Sequence, residues 1–304
     1  MISKSFEPLR QLVGEKLRLN EPLRRYTVAR LGGPADALVV VDTLEMLEQV
    51  VRLAWSYGWP LRILGGGANI LIGDKGFRGL VVINDAKNVD YLEDGRVIAE
   101  SGAGMIAIAR GSMEKGLAGF EWAINVPGTV GGGAVSNAGA HGSDVAHQLV
   151  GIEIAFKDQT IEHWPLEKLN YRYRESALKR SPDPYVVLKV ELQLQPGHDP
   201  AILEGRADAF IAQRKRTQPP GASLGSMFKN PPGDYAGRLI EAAGLKGTRR
   251  GGVVISPMHG NFFINVERGT AADYLALIRL AQEHVQTKFG ITLELEIELV
   301  GEFA

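Results

Sequence analysis

Leu61-Arg62-Ile63-Leu64-Gly65-Gly66-Gly67-Ala68-Asn69-Ile70-Leu71 is a short apolar strand that runs straight into three glycines, an alanine and an asparagine. Glycine lets the backbone take positive φ and bring its N–H groups close to a bound anion. Asn69 tolerates a left-handed turn and can hydrogen-bond back to the loop. The stretch is suited to holding a diphosphate against main chain, although glycine runs also make plain β-turns. A second loop, Pro127-Gly128-Thr129-Val130-Gly131-Gly132-Gly133-Ala134, followed by Asn137-Ala138-Gly139-Ala140, favours the first reading. Two such loops imply one large phosphate-bearing ligand clasped from two sides. The candidate contacts are Gly65, Gly66, Gly67, Ala68, Asn69 and Ile70, then Pro127, Gly128, Thr129, Gly131, Gly132, Asn137 and Gly139.

Outward from the first loop, the pattern predicts a small β-α-β unit. A strand over 37–41 leads to Thr43 as a helix N-cap. Met46, Leu47, Val50, Val51 and Ala54 follow at helical spacing, and Gly58 is a natural stop. Gly32-Gly33 before it reads equally as loop or ligand contact. The region 80–194 reads mostly as strands, with one helix near 106–115. Strands over 152–156 and 160–164 flank an Asp158-Gln159 turn. Leu188, Val190, Leu192 and Leu194 alternate with Lys189, Glu191 and Gln193, the mark of a half-buried strand. Asp199-Pro200 opens a helix by cap and first-turn proline, and Thr217-Gln218-Pro219-Pro220-Gly221 breaks the pattern. Beyond lie a helix over 235–243 stopped by Gly244, strands over 253–255 and 262–265, and a helix from Thr270 to about 288. In a last strand Leu293, Leu295, Ile297 and Leu299 alternate with Glu294, Glu296 and Glu298.

The composition narrows the function classes. The 304 residues are 45% hydrophobic and 23% charged, and Lys+Arg 34 against Asp+Glu 35 leaves a net charge of -1. No global basic field argues for nucleic acid or an anionic membrane. The absence of cysteine excludes disulfides, thiolate catalysis and Cys-ligated metal. The six histidines show no metal-ligand spacing, so no metal site is expected. No signal pattern and no membrane-length apolar run stand out, which makes a cytoplasmic protein without membrane insertion the expectation.

Taken together, the motifs resemble those of the UDP-N-acetylenolpyruvoylglucosamine reductases, flavoenzymes of bacterial peptidoglycan and cell-wall synthesis. The resemblance is carried by Arg30-Leu31-Gly32-Gly33-Pro34-Ala35, Gly65-Gly66-Gly67-Ala68-Asn69, Val126-Pro127-Gly128-Thr129-Val130-Gly131-Gly132 and Asn137-Ala138-Gly139-Ala140. Tyr173-Arg174-Glu175-Ser176, Gly225-Ser226-Met227-Phe228-Lys229-Asn230-Pro231, the stretch 236–247 and the end over 293–301 extend it across nearly the whole chain. It implies an α+β fold: a two-lobed FAD-binding domain of the vanillyl-alcohol-oxidase/PCMH type plus a smaller α/β substrate-binding domain. The implied boundaries are 1–216 for the FAD domain (lobes about 1–75 and 76–216) and 217–290 for the substrate domain. Residues 291–304 would return to the FAD domain. FAD and NADPH are the implied cofactors, and no obligate protein partner is implied.

The implied reaction reduces the enolpyruvyl ether of UDP-N-acetylglucosamine to the lactyl ether, UDP-N-acetylmuramate. Hydride passes from NADPH through the flavin to the terminal methylene carbon. Charge then develops on the carboxylate-bearing carbon and needs both stabilisation and a proton. Arg174 matches the family arginine that pairs with the carboxylate, a task suited to a planar, permanently charged group; otherwise it is a surface salt-bridge residue. Ser226 matches the proton donor, a weak acid that serves because an enolate-like centre is strongly basic; otherwise it is a turn or capping serine. Glu296 matches the second acidic group and has to be protonated or hydrogen-bonded, since a bare carboxylate repels a carbanion; otherwise Glu294, Glu296 and Glu298 are one solvated face. Lys229, Asn230 and Arg238 are candidate contacts to the sugar nucleotide, and Arg214 is a further cation for phosphate. Trp122 and the Phe262-Phe263 pair read as core.

Some positions depart from the family pattern. His141 stands where a tyrosine is usual, and Thr217 where many members carry lysine, so Lys215 could supply that cation. The short stretch 194–214 leaves no room for a substrate-capping insertion, which matches the shorter, type II form. Two other functions compete: a flavin oxidase or dehydrogenase on the same fold, and a nucleotide-sugar-binding protein without turnover.

Overall fold

The structure, a computed structural model, describes residues 5–158 and 160–303. The chain forms two compact units that do not follow chain order. Among the described residues, the first contains those up to Arg18, Ala37–Gly66 and Leu80–Gln213. The second contains Leu19–Asp36, Gly67–Gly79 and the residues from Arg214 onward.

In the first unit the predicted β-α-β element is present. The Thr43 hydroxyl accepts the Met46 N–H at 3.2 Å and caps helix Leu44–Ser56, whose Leu47, Val50, Val51 and Ala54 are buried. Strand Leu61–Leu64 pairs in parallel with strand Phe77–Asn84, Leu61 opposite Leu80 and Leu64 opposite Ile83. A second, antiparallel sheet takes the order Ile161–Pro165, Leu149–Phe156, Tyr185–Gln193, Arg96–Glu100, Val89–Tyr91. Period-two patterning holds in its central strand, where Leu188, Val190 and Leu192 are buried and Gln193 is exposed. Ala155, Val186 and Leu188 pack with Leu80 and Val82, so the two sheets share a core. The expected turn between the strands at 156 and 161 includes Gln159, which lies outside the described residues. Trp122 is buried, with its indole N–H donating to Gln148 Oε1 at 3.2 Å.

In the second unit a four-stranded antiparallel sheet has the order Ala222–Ser226, Phe262–Asn265, Val253–Ile255, Arg249–Arg250. Helices Ala236–Ala242 and Ala271–Phe289 supply the apolar residues of its core, which also takes in Leu71 and Phe263. Thr270 and Asp273 form a capping box at the start of the long helix, and Asp74 accepts from Ala271 N at 2.8 Å and Ala272 N at 2.9 Å. Buried Tyr274 completes the core by donating to the Phe263 carbonyl at 2.7 Å.

The end of the chain differs from the expected strand over 293–299. Only Glu298–Val300 is strand, and it pairs in parallel with Ile70–Ile72. Before it, Lys229 N donates to the Glu294 carbonyl at 2.8 Å and Glu296 N donates to the Met227 carbonyl at 3.0 Å. The segment changes partner midway, so one regular ladder cannot run through it. Leu293, Ile297 and Val300 are buried while Leu299 is exposed, a sequence of burial that alternation does not produce. Among the described residues no helix is long and apolar enough to cross a membrane.

Candidate functional site

Gly65 and Gly66 meet the second glycine loop within the first unit. A Cβ at Gly65 would overlap the Thr129 hydroxyl, and one at Gly66 would stand 3.0 Å from Gly128 Cα. These glycines therefore permit a main-chain approach that no side chain would allow. Helix Val130–Ser136 follows the second loop, but its first two amides are already used: Val130 N donates to Ala103 O at 2.8 Å and Gly131 N to Ser101 O at 3.0 Å. By contrast, the amides of Gly66, Gly67 and Ala68 donate to no acceptor among the described residues. Consecutive unpaired N–H groups in a glycine turn form an anion-binding concavity, so the residues present fit the diphosphate of a dinucleotide.

Gly67 has φ +58°, and a Cβ on it would overlap the Tyr26 carbonyl oxygen. A left-handed alanine costs about 1–2 kcal/mol before any clash, and the neighbour here is backbone. Gly67→Ala is expected to lower stability by about 2 kcal/mol or more. Thermal melting checks this, and an unchanged melting temperature contradicts it.

Arg174 is half-buried, with φ +59°, and its guanidinium donates to the Gly139 carbonyl at 2.7 Å and the Asn137 carbonyl at 3.4 Å. The ring of Tyr173 lies 5.2 Å away. The bed for this arginine is tied down at several points: Ser176 Oγ donates to Val135 O at 2.6 Å and Tyr171 Oη to Ala134 O at 2.6 Å. Burial pushes the Tyr171 phenol up, which keeps it a donor. Asn137, at φ +46°, donates to Asp144 Oδ2 at 3.2 Å and Arg172 O at 3.3 Å and accepts from Ala146 N at 3.1 Å. Its side chain organises the loop, while Arg172 stays exposed. His141, also at positive φ, stacks on Phe210 at 4.4 Å between Gln213 and Asn125.

Ser226 and Glu296 both lie in the second unit, on segments joined at Met227. Ser226 ends the strand Ala222–Ser226 opposite Phe262, one residue before the fully buried Met227 and Phe228. Glu296 is bonded through its amide to Met227, and its carbonyl accepts the Asn69 side-chain N–H at 3.1 Å. Glu298 N donates to the Asn69 carbonyl at 3.0 Å. Glu296 is half-buried, whereas Glu294 and Glu298 are exposed, which separates it from a common solvated face. Arg174 belongs to the other unit.

Among the sugar-nucleotide candidates, Lys229 is largely buried with its ammonium 3.5 Å from Glu294 Oε2. Asn230 Oδ1 accepts from Ala236 N at 3.1 Å at the start of a helix. Arg238 pairs with Asp234, holding that carboxyl down at about 2. The Arg30–Ala35 motif residues Arg30 to Pro34 line an open groove of about 960 Å³ with Arg24, Asp74, Asn265 and Arg268. Burial of the Arg214 guanidinium lowers its pKa. No group of three or more metal-ligating side chains occurs among the described residues.

Pattern reading gave no sign of Asn261. This buried asparagine lies just before the strand Phe262–Asn265, where it looks like an ordinary turn residue. Its side chain donates to Phe228 O at 2.8 Å and accepts from Phe228 N at 2.9 Å, and its carbonyl accepts from Met227 N at 2.8 Å. Its own N–H donates to His259 Nδ1 at 3.2 Å, which makes that nitrogen an acceptor. Burial lowers the His259 pKa, and the nearby Lys246 charge lowers it further, against weaker raising effects from a backbone hydrogen bond and from Glu241. A histidine held neutral in the fold contributes stability that is present above its unfolded pKa of about 6.5 and lost as pH falls below it. The melting temperature is therefore expected to fall below pH ~6.5, and less steeply in His259→Gln. Equal slopes in both proteins contradict this.

Comparison with known proteins shows the family. The family model described as "FAD binding domain" matches residues 35–164, and "UDP-N-acetylenolpyruvoylglucosamine reductase, C-terminal domain" matches residues 216–300. A UDP-N-acetylenolpyruvoylglucosamine reductase of Rubrobacter xylanophilus is 43% identical over 287 residues, covering 94% of this chain and 95% of the relative. That of Geobacillus kaustophilus is 40% identical over 299 residues, covering 98% and 97%. The crystal structure of the Thermus caldophilus reductase superposes with a TM-score of 0.79 at 34% identity, covering 93% of this chain and 99% of that one. The fold is thus an FAD-binding domain joined to a reductase C-terminal domain, and the chain belongs to the UDP-N-acetylenolpyruvoylglucosamine reductase family.

Proposed function

We propose that this protein reduces UDP-N-acetylglucosamine enolpyruvate to UDP-N-acetylmuramate with NADPH, as a cytoplasmic step of peptidoglycan synthesis. The observation that carries the reading is the backbone bond from Glu296 N to Met227 O, which joins the half-buried residue Glu296 to the segment bearing Ser226. In this reading residues 1–216 hold FAD, 217–290 hold the sugar nucleotide, and 291–304 bring Glu296 back to the FAD domain. FAD, when bound, supplies the hydride transfer between NADPH and substrate.

The chain's own residues do the rest. Arg174, already oriented by two carbonyl oxygens, meets the substrate carboxylate and takes up charge as it spreads there. Donors preorganised at such a centre are commonly worth roughly 2.7–4 kcal/mol each. Hydride adds to the methylene carbon, the C=C bond becomes a C–C bond, the electron pair left on the carboxylate-bearing carbon takes the Ser226 proton, and solvent returns a proton to the serine oxygen. Glu296 assists as a protonated or hydrogen-bonded group. Lys229, Asn230 and Arg238 are proposed contacts to the sugar nucleotide. Gly65 to Ile70, Pro127, Gly128, Thr129, Gly131, Gly132, Asn137 and Gly139 are proposed for FAD, with the unpaired amides at 66–68 as the main support.

Anaerobic turnover tests the reading. One NADPH is expected to be oxidised per UDP-N-acetylmuramate formed. NADPH oxidation that requires oxygen and yields no lactyl ether would instead mark an oxidase.

A further inference from the structure

We infer that Asn261 is a positioning residue that fixes Ser226 relative to Glu296, an inference that rests on the proton-donor reading proposed above. The strand Ala222–Ser226 does not keep a regular ladder with its neighbour: its register shifts between Ser223 and Ser226. Just beyond the shift, Met227 and Phe228 are held on one side by Asn261 and on the other by main-chain bonds to the segment 294–296. Asn261 makes three hydrogen bonds to Met227 and Phe228, two through its side-chain amide and one through its carbonyl, all between 2.8 and 2.9 Å. It is 2% exposed, so no water competes at this point.

The clamp passes directly to the second acidic group. Met227, whose N–H is held by Asn261, receives the Glu296 N–H on its own carbonyl. The Glu296 carbonyl in turn receives the Asn69 side chain. Asn261 therefore sets the main chain on which Ser226 stands, and through Met227 the main chain on which Glu296 stands. Its side-chain amide acts on the Phe228 main chain. A side chain that can donate and accept at once is required at this position, because Phe228 offers both an N–H and a C=O. Asparagine meets that need, leucine meets neither half, and aspartate meets both only when protonated.

The test compares Asn261→Leu and Asn261→Asp with the wild-type holoenzyme. In Asn261→Leu, flavin reduction by NADPH is expected within twofold of wild type. Flavin reoxidation by UDP-N-acetylglucosamine enolpyruvate slows tenfold or more. In Asn261→Asp that second rate recovers as pH falls and the buried carboxyl gains a proton, beyond any change in the wild-type profile, which contains His259. Amide exchange at Phe228 rises in Asn261→Leu, which removes the side-chain acceptor of that N–H, a readout independent of turnover. Equal slowing of both half-reactions, or unchanged exchange at Phe228 in Asn261→Leu, overturns the positioning role. Should Asn261→Leu fail to fold, the pH dependence of Asn261→Asp decides alone. Ser226→Ala serves as the control: if it leaves reoxidation unchanged, the donor assignment has failed, and the exchange data still judge the clamp.

Discussion

Replacing Ser226 by alanine leaves flavin reduction by NADPH near its normal rate while slowing reduction of the enolpyruvyl substrate by about a hundredfold to ten-thousandfold, the range typical of a positioned proton donor. The asymmetry follows from what the hydroxyl is asked to do. NADPH oxidation requires no proton at the substrate carbon, whereas the lactyl product cannot form without one. Ser226 is well placed for a selective effect, since it is half-buried at a strand end while the adjoining Met227 and Phe228 carry the packing. Alanine keeps that backbone and removes one oxygen. Stopped-flow traces of the two half-reactions give the answer, and equal slowing of both would make Ser226 a structural residue.

The second large effect separates three acids of one short segment. Glu296→Ala is expected to slow the substrate half-reaction about tenfold or more, and Glu294→Ala far less. Glu294 has a side chain 74% exposed and a loose pair with Lys229 at 3.5 Å, an arrangement worth little in water. Glu296 is half-buried and stands on the segment fixed by Met227 and Asn69. Single-turnover rates of the two variants measure the ranking, and the reverse order moves the assignment to Glu294.

Local chemistry was readable in the sequence wherever it was decided locally. Thr43 and Thr270 start helices because a hydroxyl three residues before a free N–H caps it, and both caps form. Alternation along 188–194 describes a strand with one buried face, and that strand is present. The same alternation misled at 293–299, where the partner changes from the Met227 segment to Ile70–Ile72 and the ladder is interrupted. Glu296 sits at that interruption, so its half-burial was hidden by a pattern shared with Glu294 and Glu298.

Long-range organisation was harder to read. Residues 19–36 and 67–79 join the unit formed by the end of the chain, through pairings more than two hundred residues apart such as Asn69 with Glu296. No period in a sequence encodes such a pairing. Asn261 illustrates the same limit, because its meaning lies in Phe228, thirty-three positions away. Asn137 shows a milder form: it falls within a glycine-rich motif, yet its side chain binds Asp144, Arg172 and Ala146 and shapes the bed of Arg174.

An anaerobic flavin titration tests the proposed reaction most directly. The purified protein is reduced with one equivalent of NADPH, UDP-N-acetylglucosamine enolpyruvate is added, and flavin absorbance is followed. Rapid return of the oxidised spectrum with stoichiometric UDP-N-acetylmuramate is the expected result. Flavin that stays reduced until oxygen is admitted would contradict the reductase assignment.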